Sequence, residues 1–351
     1  MSERVVIDGA SGGGQILRNA VALSAVSGRP VRVENIRGAR PKPGLRPQHL
    51  TAVRAAAEAC RATLSGAEIG SRAIEFHPGE IEAKKGRRLD VGTAGSVLLV
   101  LQSILPALAL ADAPSDITLL GGTDVPFAPP FDHFARVFSP ALAALGPGVE
   151  ARLIRRGFYP KGGGEIAVRV EPAPSLRPFA WTSRGPVLQI HGTSYSQGLP
   201  AHIAERMRNS ALAVLASSGH KEADVPLEVI EGGPSDGCGI FLWAECEGGR
   251  RFGGSALGRR GKRAEEVGRE AAHMLIDELS SDAAVETHLA DQMIVWMAIA
   301  DGPSELTART VTDHLRSAMH VAEAIVGARF SVEEGEVIRV RCQPAAGSRQ
   351  G

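Results

Sequence analysis

His314 stands in the sequence context of a catalytic histidine. Residues 310–313 read as a helix start, with Thr312 or Asp313 as the N-cap. The positive end of a helix dipole disfavours imidazolium and favours the neutral, nucleophilic imidazole. The charge of Asp313 acts in the opposite direction, so the sequence leaves the balance open. Any of the ten histidines, taken alone, is more often a surface or core residue than a catalyst.

A second candidate histidine, His288, stands just before Asp291 and Gln292 at another predicted helix start. An acid and an amide at such a position can organise a metal ion or a nucleotide. The alternative is an ordinary helix N-terminus with no ligand.

Two glycine triplets could provide backbone N–H groups for an anion. The triplet at 12–14 opens a helix directly after a strand, where bare backbone can approach a phosphate, although a tight turn explains it equally well. It matches neither the dinucleotide-binding nor the P-loop pattern. The triplet at 162–164 follows Arg155, Arg156 and Lys161, which would suit phosphate or form a solvated hairpin.

A basic loop contains Arg37, Arg40, Lys42 and Arg46 without one acidic residue, interspersed with prolines. Prolines stiffen the loop and hold the cations outward at low entropic cost. Arginine forks match phosphate oxygens in pairs. The loop is therefore a candidate cradle for a nucleic-acid end, with a plain basic surface loop as the alternative.

The composition describes a globular chain of 351 residues, of which 44% are apolar. The 39 basic and 39 acidic residues cancel, which argues against coating nucleic acid by bulk attraction. With 10 Phe, 3 Trp and 2 Tyr, an aromatic RNA-stacking platform is not expected.

The cysteines and the apolar segments indicate a cytoplasmic protein. Cys60, Cys238, Cys246 and Cys342 are widely spaced and form no CxxC pair, so neither a zinc site nor a disulfide framework is expected. No signal peptide is evident, and the apolar stretch 97–111 is too short and too broken to span a bilayer. We therefore expect no membrane association; the oligomeric state is not indicated.

A strand–helix–strand–helix–strand–strand pattern occurs three times along the chain. We predict an α+β fold in which three βαβαββ units form a large domain. Units 1 and 2 occupy 1–184, a smaller α/β domain is inserted at 185–280, and unit 3 occupies 281–345.

Several of these stretches together resemble the RNA 3'-terminal phosphate cyclase family, over nearly the whole chain. The matching stretches are 8–10 with 12–18, 41–53, 121–130, 156–164 (RGFYPKGGG), and 288–292 followed by His314. The RGFYPKGGG run is the most specific of them. Five matches in order and with family spacing make the resemblance strong.

The resemblance implies a three-unit large domain with a smaller insertion. It implies the ATP-dependent conversion of an RNA 3'-terminal phosphate into a 2',3'-cyclic phosphate, with a divalent cation, Mg²⁺ or Mn²⁺. The reaction would pass through a histidyl–AMP adduct and an RNA–adenylate anhydride, releasing pyrophosphate and then AMP.

The resemblance also implies roles for individual residues. His314 matches the nucleophile. The positions that match the adenine-nucleotide site are Gln102, His288, Leu289, Ala290, Asp291 and Gln292. The positions that match polar groups around the phosphates and the RNA end are Arg18, Arg37, Arg40 and Gln48.

One departure concerns the metal. Family members commonly have two more residues, including a Glu, before the glycine triplet, whereas here Ala10 and Ser11 lead straight to Gly12. The metal ligands are therefore unknown: Asp8 or Asp291 compensates, or the metal dependence has changed.

Three other functions stay open at this stage. A non-catalytic ribosome-assembly relative would share the fold but lack the nucleophile that His314 provides. An enolpyruvyl transferase would use similar units but would leave RGFYPKGGG and His314 unexplained. An RNA-end-binding protein could have lost catalysis with the shortened glycine loop.

Overall fold

The computed structural model describes residues 4–11 and 13–347. Gly12, the first member of the predicted anion-binding triplet, lies outside the described residues. The remainder of that turn is defined by Gly13 and Gly14, which directly precede the first helix.

The first unit forms a four-stranded sheet in the order β1-β2-β4-β3, with β1 and β2 parallel and the other pairs antiparallel. Its elements are β1 (Val5–Asp8), α1 (Gln15–Ser27), β2 (Val31–Glu34), α2 (Pro47–Ala59), β3 (Thr63–Ser65) and β4 (Ile74–His77). The helices connect strands of one sheet, so they pack on it and bury their apolar residues there.

The second unit repeats this arrangement with the order β5-β6-β8-β7. Its elements are β5 (Arg87–Asp90), α3 (Val97–Ala109), β6 (Ser115–Gly121), α4 (Phe131–His133), a π-helical turn (Phe134–Phe138), α5 (Ser139–Ala143), β7 (Gly148–Arg155) and β8 (Gly164–Glu171). The helix predicted over 131–145 therefore contains a π-helical turn, a feature that often occurs at functional sites.

The short strand β9 (Ala180–Trp181) follows in the chain. After it comes a separate five-stranded sheet that carries two helices. The elements of that sheet and its helices are β10 (Val187–Gln197), α6 (Ala201–Ser217), β11 (Ala223–Asp224), β12 (Leu227–Ile230), β13 (Gly237–Cys246), a 3₁₀ turn (Glu247–Gly249), β14 (Arg251–Leu257) and α7 (Ala264–Leu279). Helices α6 and α7 enclose a second, smaller hydrophobic core against this sheet.

The third four-stranded sheet has the order β16-β17-β15-β9, again with one parallel and two antiparallel pairs. Its remaining elements are α8 (Thr287–Ile299), β15 (Ser304–Ala308), α9 (Asp313–Val326), β16 (Arg329–Glu333) and β17 (Ile338–Gln343). Its first strand, β9, precedes the separate sheet in the chain. Two residues are too few to show a hydrophobic period, which is why the sequence pattern missed this strand.

The predicted α+β class is confirmed. One hydrophobic core extends through the helices and strands of the three four-stranded sheets, and it includes Leu17, Leu101 and Met293. The second core lies between residues 190 and 275, within the predicted insertion. The domain boundaries themselves stay a prediction.

Each of the four cysteines is buried and unpaired, in agreement with the predicted free thiols. Burial raises the pKa of Cys60 to about 11 and that of Cys342 to about 12, so neither thiol is reactive at neutral pH. Over the described ranges, no helix combines the length and the apolar character that crossing a membrane requires.

A buried arginine connects the second unit to the separate sheet. Arg156, 1% exposed, places Nη1 3.1 Å from Asp124 Oδ1 and 2.9 Å from Asp132 Oδ2. Its Nη2 lies 2.8 Å from Glu228 Oε2, and its guanidinium stacks 3.7 Å from the centre of the Tyr195 ring. The hypothesis that Arg156 serves phosphate is therefore wrong, because three carboxylates already neutralise it.

Replacing Arg156 with Met should destabilise the protein by about 3–5 kcal/mol, because the buried Asp124 and Asp132 would lose their cation. The measurement is the free energy of unfolding by urea. Arg155→Met is the matched control, since Arg155 pairs with Glu165 at the surface and should contribute about 0–1 kcal/mol. Equal effects of the two substitutions would contradict the role given to Arg156.

Candidate active site

The packing of α1 against α9 brings His314 to the N-terminus of α1. Arg29 Nη1 donates to the carbonyl of Ile325 at 2.7 Å, and Gln15 Nε2 donates to the carbonyl of His314 at 3.3 Å. The two helices come from the first and third units, so the contact joins residues almost 300 positions apart. His314 thereby lies beside the glycine turn that opens α1.

The N-terminus of α9 is capped by Thr312, one of the two predicted capping residues. Its Oγ1 accepts from Leu315 N at 2.8 Å and donates to Asp291 Oδ1 at 2.5 Å. The cap therefore fixes the start of α9 and also ties it to α8.

A cavity of about 980 Å³ opens beside His314 and receives residues from all three units and from the separate sheet. It brings together nine of the eleven predicted site residues: Arg18, Arg37, Arg40, Gln48, Gln102, His288, Asp291, Gln292 and His314. The other two, Leu289 and Ala290, are 3% and 1% exposed and pack their side chains into the core, because they lie on the opposite face of α8.

The glycine turn lies against two cations and an imidazole. A Cβ atom on Gly14 would lie 2.3 Å from His49 Nε2 and 3.1 Å from Arg18 Nη1, and one on Gly13 would lie 3.1 Å from Arg40 Nη2. Side chains there would displace these groups from the turn, and the φ of +61° at Gly13 also favours glycine. The start of a 13-residue helix, with its dipole, faces the same place.

These cations have no neutralising partner in the part of the chain that the structure describes. No described carboxylate forms an ion pair with Arg18, Arg40 or Arg46. Arg37 Nη1 donates to the carbonyls of Lys42 and Gly44 at 2.7 and 3.0 Å, which stiffens the basic loop from within. The cavity therefore carries an excess of positive charge that a polyanion would neutralise.

This excess charge changes the ionisation of the histidines. Burial, followed by the charges of Arg18 and Arg37, lowers the pKa of His49 to about 3. Burial, then Arg18 and Arg40, also lowers the pKa of His314, and these effects outweigh the opposing charge of Asp313. The balance that the sequence left open therefore favours the neutral imidazole, which is the nucleophilic form of histidine.

Unsatisfied polar atoms also lie around the cavity. The buried side-chain atoms without a hydrogen-bond partner among the described residues include Gln15 Oε1, Asn19 Nδ2, His133 Nδ1 and Gln292 Oε1, and all four residues line this cavity. Buried polar groups are nearly always paired in proteins, so these atoms are available to hydrogen-bond a ligand or ordered water in the cavity.

Sequence reasoning missed three of these cavity residues: His49, Asn19 and His133. His49 lies next to the predicted Gln48 in a stretch that resembles the cyclase family, so that stretch could have revealed it. Asn19 faces the cavity one residue after Arg18, and its helix reads as an ordinary apolar helix. Nothing near His133 in the sequence distinguishes it from a core histidine.

The carboxylates near the cavity provide little for a metal ion. The described residues contain no cluster of three or more side chains suited to hold one. Asp291 lines the cavity, and burial raises its pKa to about 6. Asp8 accepts from Ala10 N at 3.1 Å, within its own turn, and from Asn35 Nδ2 at 3.2 Å, at the end of the neighbouring strand β2. A divalent cation would therefore depend chiefly on the oxygens of a bound phosphate, as Mg²⁺ often does.

The sequence was compared with known proteins. The family model described as RNA 3'-terminal phosphate cyclase matches residues 10–332. The chain belongs to this family. Proteins named RNA 3'-terminal phosphate cyclase match it from Pyrobaculum aerophilum (43% identity; 94% of this chain, 95% of the relative), Caldivirga maquilingensis (41%; 99% and 99%) and Archaeoglobus fulgidus (44%; 95% and 99%).

Membership of the RNA 3'-terminal phosphate cyclase family identifies the chain as an enzyme, and the resemblance noted from its residues is confirmed. Among solved structures, the enolpyruvyl transferase NikO from Streptomyces tendae matches at 14% identity and a TM-score of 0.29, covering 98% of this chain and 66% of that one. A TM-score this low supports no argument about function.

The pKa of His314 should lie below the ordinary value of about 6.5 and respond to its neighbours in opposite directions. Arg40→Gln removes a positive charge and should raise this pKa, whereas Asp313→Asn removes a negative charge and should lower it further. The measurement is a proton–carbon NMR titration of the imidazole, assigned with His314→Gln. A wild-type pKa at or above 6.5 would contradict the described electrostatics.

Proposed function

We propose that this enzyme converts an RNA 3'-phosphate into a 2',3'-cyclic phosphate with ATP, through a covalent adenylate on His314. The observation that supports this most directly is the juxtaposition of a neutral imidazole with unneutralised cations in one cavity. Such a site suits nucleophilic attack on a phosphorus atom that belongs to a polyanion.

In the first step an imidazole nitrogen of His314 attacks the α-phosphorus of ATP. A P–N bond forms as the bond from that phosphorus to pyrophosphate breaks, and pyrophosphate carries away the electron pair. Arg18, Arg40 and the N-terminus of α1 are placed to hold the phosphates and to stabilise charge on the leaving group.

In the second step an oxygen of the RNA 3'-phosphate attacks the phosphorus of the adduct. The P–N bond breaks, His314 recovers its lone pair, and an RNA–adenylate anhydride forms. This step is needed because a terminal phosphomonoester has no good leaving group of its own.

In the third step O2' attacks the RNA phosphorus and AMP departs, while the hydroxyl proton passes to solvent. The attacking O2' and the 3'-phosphate that it attacks are carried by the same ribose, so the step is intramolecular. Well-oriented intramolecular reactions reach effective molarities of roughly 10⁵–10⁸ M, so little further catalysis is required.

Adenine and ribose would occupy the part of the cavity lined by Gln102, His288, Asp291 and Gln292, as the family resemblance implies. Mg²⁺ or Mn²⁺ would enter bound to the triphosphate and supply charge neutralisation there. Gln48 is held by its Oε1, which accepts from Ser96 N at 2.8 Å, so its amide N–H groups stay available to phosphate or RNA.

His314→Ala should abolish the conversion, because His49, the other imidazole beside the glycine turn, already uses its Nδ1 lone pair to accept from Arg46 N at 3.3 Å. The assay supplies ATP, Mg²⁺ or Mn²⁺ and a 3'-phosphorylated oligonucleotide, and detects the loss of one water from the RNA by mass spectrometry. His320→Ala, on an exposed position of the same helix, is the matched control and should retain activity.

An active His314→Ala variant would refute the assignment of the nucleophile. A wild-type protein that binds the oligonucleotide but never converts it would favour the alternative of a non-catalytic RNA-end-binding or ribosome-assembly relative.

Arg40→Ala should weaken RNA binding and reduce the slope of log K against log salt concentration by about one, because one phosphate contact is lost. The measurement is fluorescence anisotropy with a 3'-phosphorylated oligonucleotide at several salt concentrations. Arg88→Ala is the control, since Arg88 already pairs with Glu165 at 3.2 Å. An unchanged slope for Arg40→Ala would remove the basic loop from the RNA site.

A further inference from the structure

A buried histidine forms part of the inner wall of the cavity. His133 is 4% exposed, lies at the end of α4, and lines the same cavity as His314. Its ring centre lies 6.3 Å from that of His288, whose charge in turn acts on His314. The imidazoles of His133, His288 and His314 therefore line one cavity.

The Nε2 atom of His133 is already used. It lies 2.8 Å from Glu286 Oε1, and Glu286 is 1% exposed. The same carboxylate accepts from the backbone N–H groups of His288 at 2.8 Å and Leu289 at 2.6 Å, which caps α8.

Glu286 is ionised, so it accepts a hydrogen bond from His133 rather than donating one. The backbone N–H groups of His288 and Leu289 both donate to this carboxylate, and such donors favour its ionised form. The proton of a neutral His133 is therefore on Nε2, and the lone pair is on Nδ1.

The ring of His133 is also fixed in orientation. Phe241 meets it edge-on with ring centres 6.3 Å apart, as does His288 from another side. A Cβ atom on Gly253 would lie 3.3 Å from His133 Cδ2, so the backbone of β14 closes in on that edge. Nδ1 is buried and has no hydrogen-bond partner among the described residues.

The cavity wall in this region is largely apolar. Leu99, Leu105, Phe138, Val295 and Trp296 line the cavity together with His133. An apolar slot with a few fixed polar atoms is the usual form of a site for a flat heterocycle, in which the polar atoms select the ligand.

We propose that His133 selects the base of the nucleotide, with Nδ1 accepting a hydrogen bond from the amino group at C6 of adenine. The 6-oxo group of guanine would instead place a second acceptor against the Nδ1 lone pair, which leaves both buried groups unpaired. A purine without a 6-substituent would leave Nδ1 unpaired as it is now. This assignment rests on the proposed function, since it requires a nucleotide in the cavity.

The test compares three nucleotides by single-turnover release of pyrophosphate: ATP, GTP, and the 5'-triphosphate of purine riboside, which lacks the 6-amino group. The wild-type protein should prefer ATP over the purine riboside nucleotide by about tenfold or more, the effect of one unmet buried hydrogen bond. GTP should be used more poorly still.

His133→Phe should bring the ratio between ATP and the purine riboside nucleotide close to one, because it removes the acceptor at Nδ1. His133→Gln should retain more of the preference, because its amide N–H can reach Glu286 while its Oε1 still accepts; using the ratio cancels any general loss of folded protein. His191→Gln is the matched control, because His191 lies on β10 and does not line the cavity.

A wild-type ratio near one, or a ratio that stays unchanged in His133→Phe, would overturn the inference while leaving the proposed function intact. The absence of pyrophosphate release from all three nucleotides would overturn the proposed function and, with it, this assignment.

Discussion

The candidate site depends on the packing of α1 against α9. Neither helix holds a complete site: α1 supplies an anion-binding N-terminus and Arg18, and α9 supplies His314. The hydrogen bonds from Arg29 to Ile325 and from Gln15 to His314 oppose both sliding and rotation of one helix against the other. A shift along this contact would separate His314 from Arg18 and the glycine turn, and the proposed reaction requires these groups to lie together.

This packing leaves cations around the cavity without ion-pair partners among the described residues. Their charge is central to the proposed chemistry. Elsewhere the chain satisfies its buried charges: Arg156 pairs with three carboxylates, and Glu286 accepts from two backbone N–H groups and from His133. Around the cavity, Arg18 and Arg40 are left without an anion among the described residues. Arg40 is exposed, but keeping the half-buried Arg18 without an anion costs free energy, and a bound polyanion offsets that cost. Burial and then these same charges lower the pKa of His314.

Local sequence revealed the parts of this structure that depend on local physics. The helix start at Thr312, the cations of the 37–46 loop and the glycine turn were each predictable from neighbouring residues. The resemblance of whole stretches to one family predicted most of the residues of the candidate site. Partners distant in sequence were not predictable: Glu286 bonds a histidine 153 positions away, and Arg156 bonds Glu228 across 72 positions. Local pattern contains no information on such pairs.

The central claim is that one imidazole carries AMP between ATP and RNA, and mapping the adduct tests it most directly. The protein would be incubated with ATP and a divalent cation without RNA, digested at neutral pH, and its peptides sequenced by mass spectrometry. Our account predicts one adenylyl group, on a ring nitrogen of His314, which disappears on adding a 3'-phosphorylated oligonucleotide. An adduct on His49, His288 or a lysine, or one that RNA leaves in place, would contradict it.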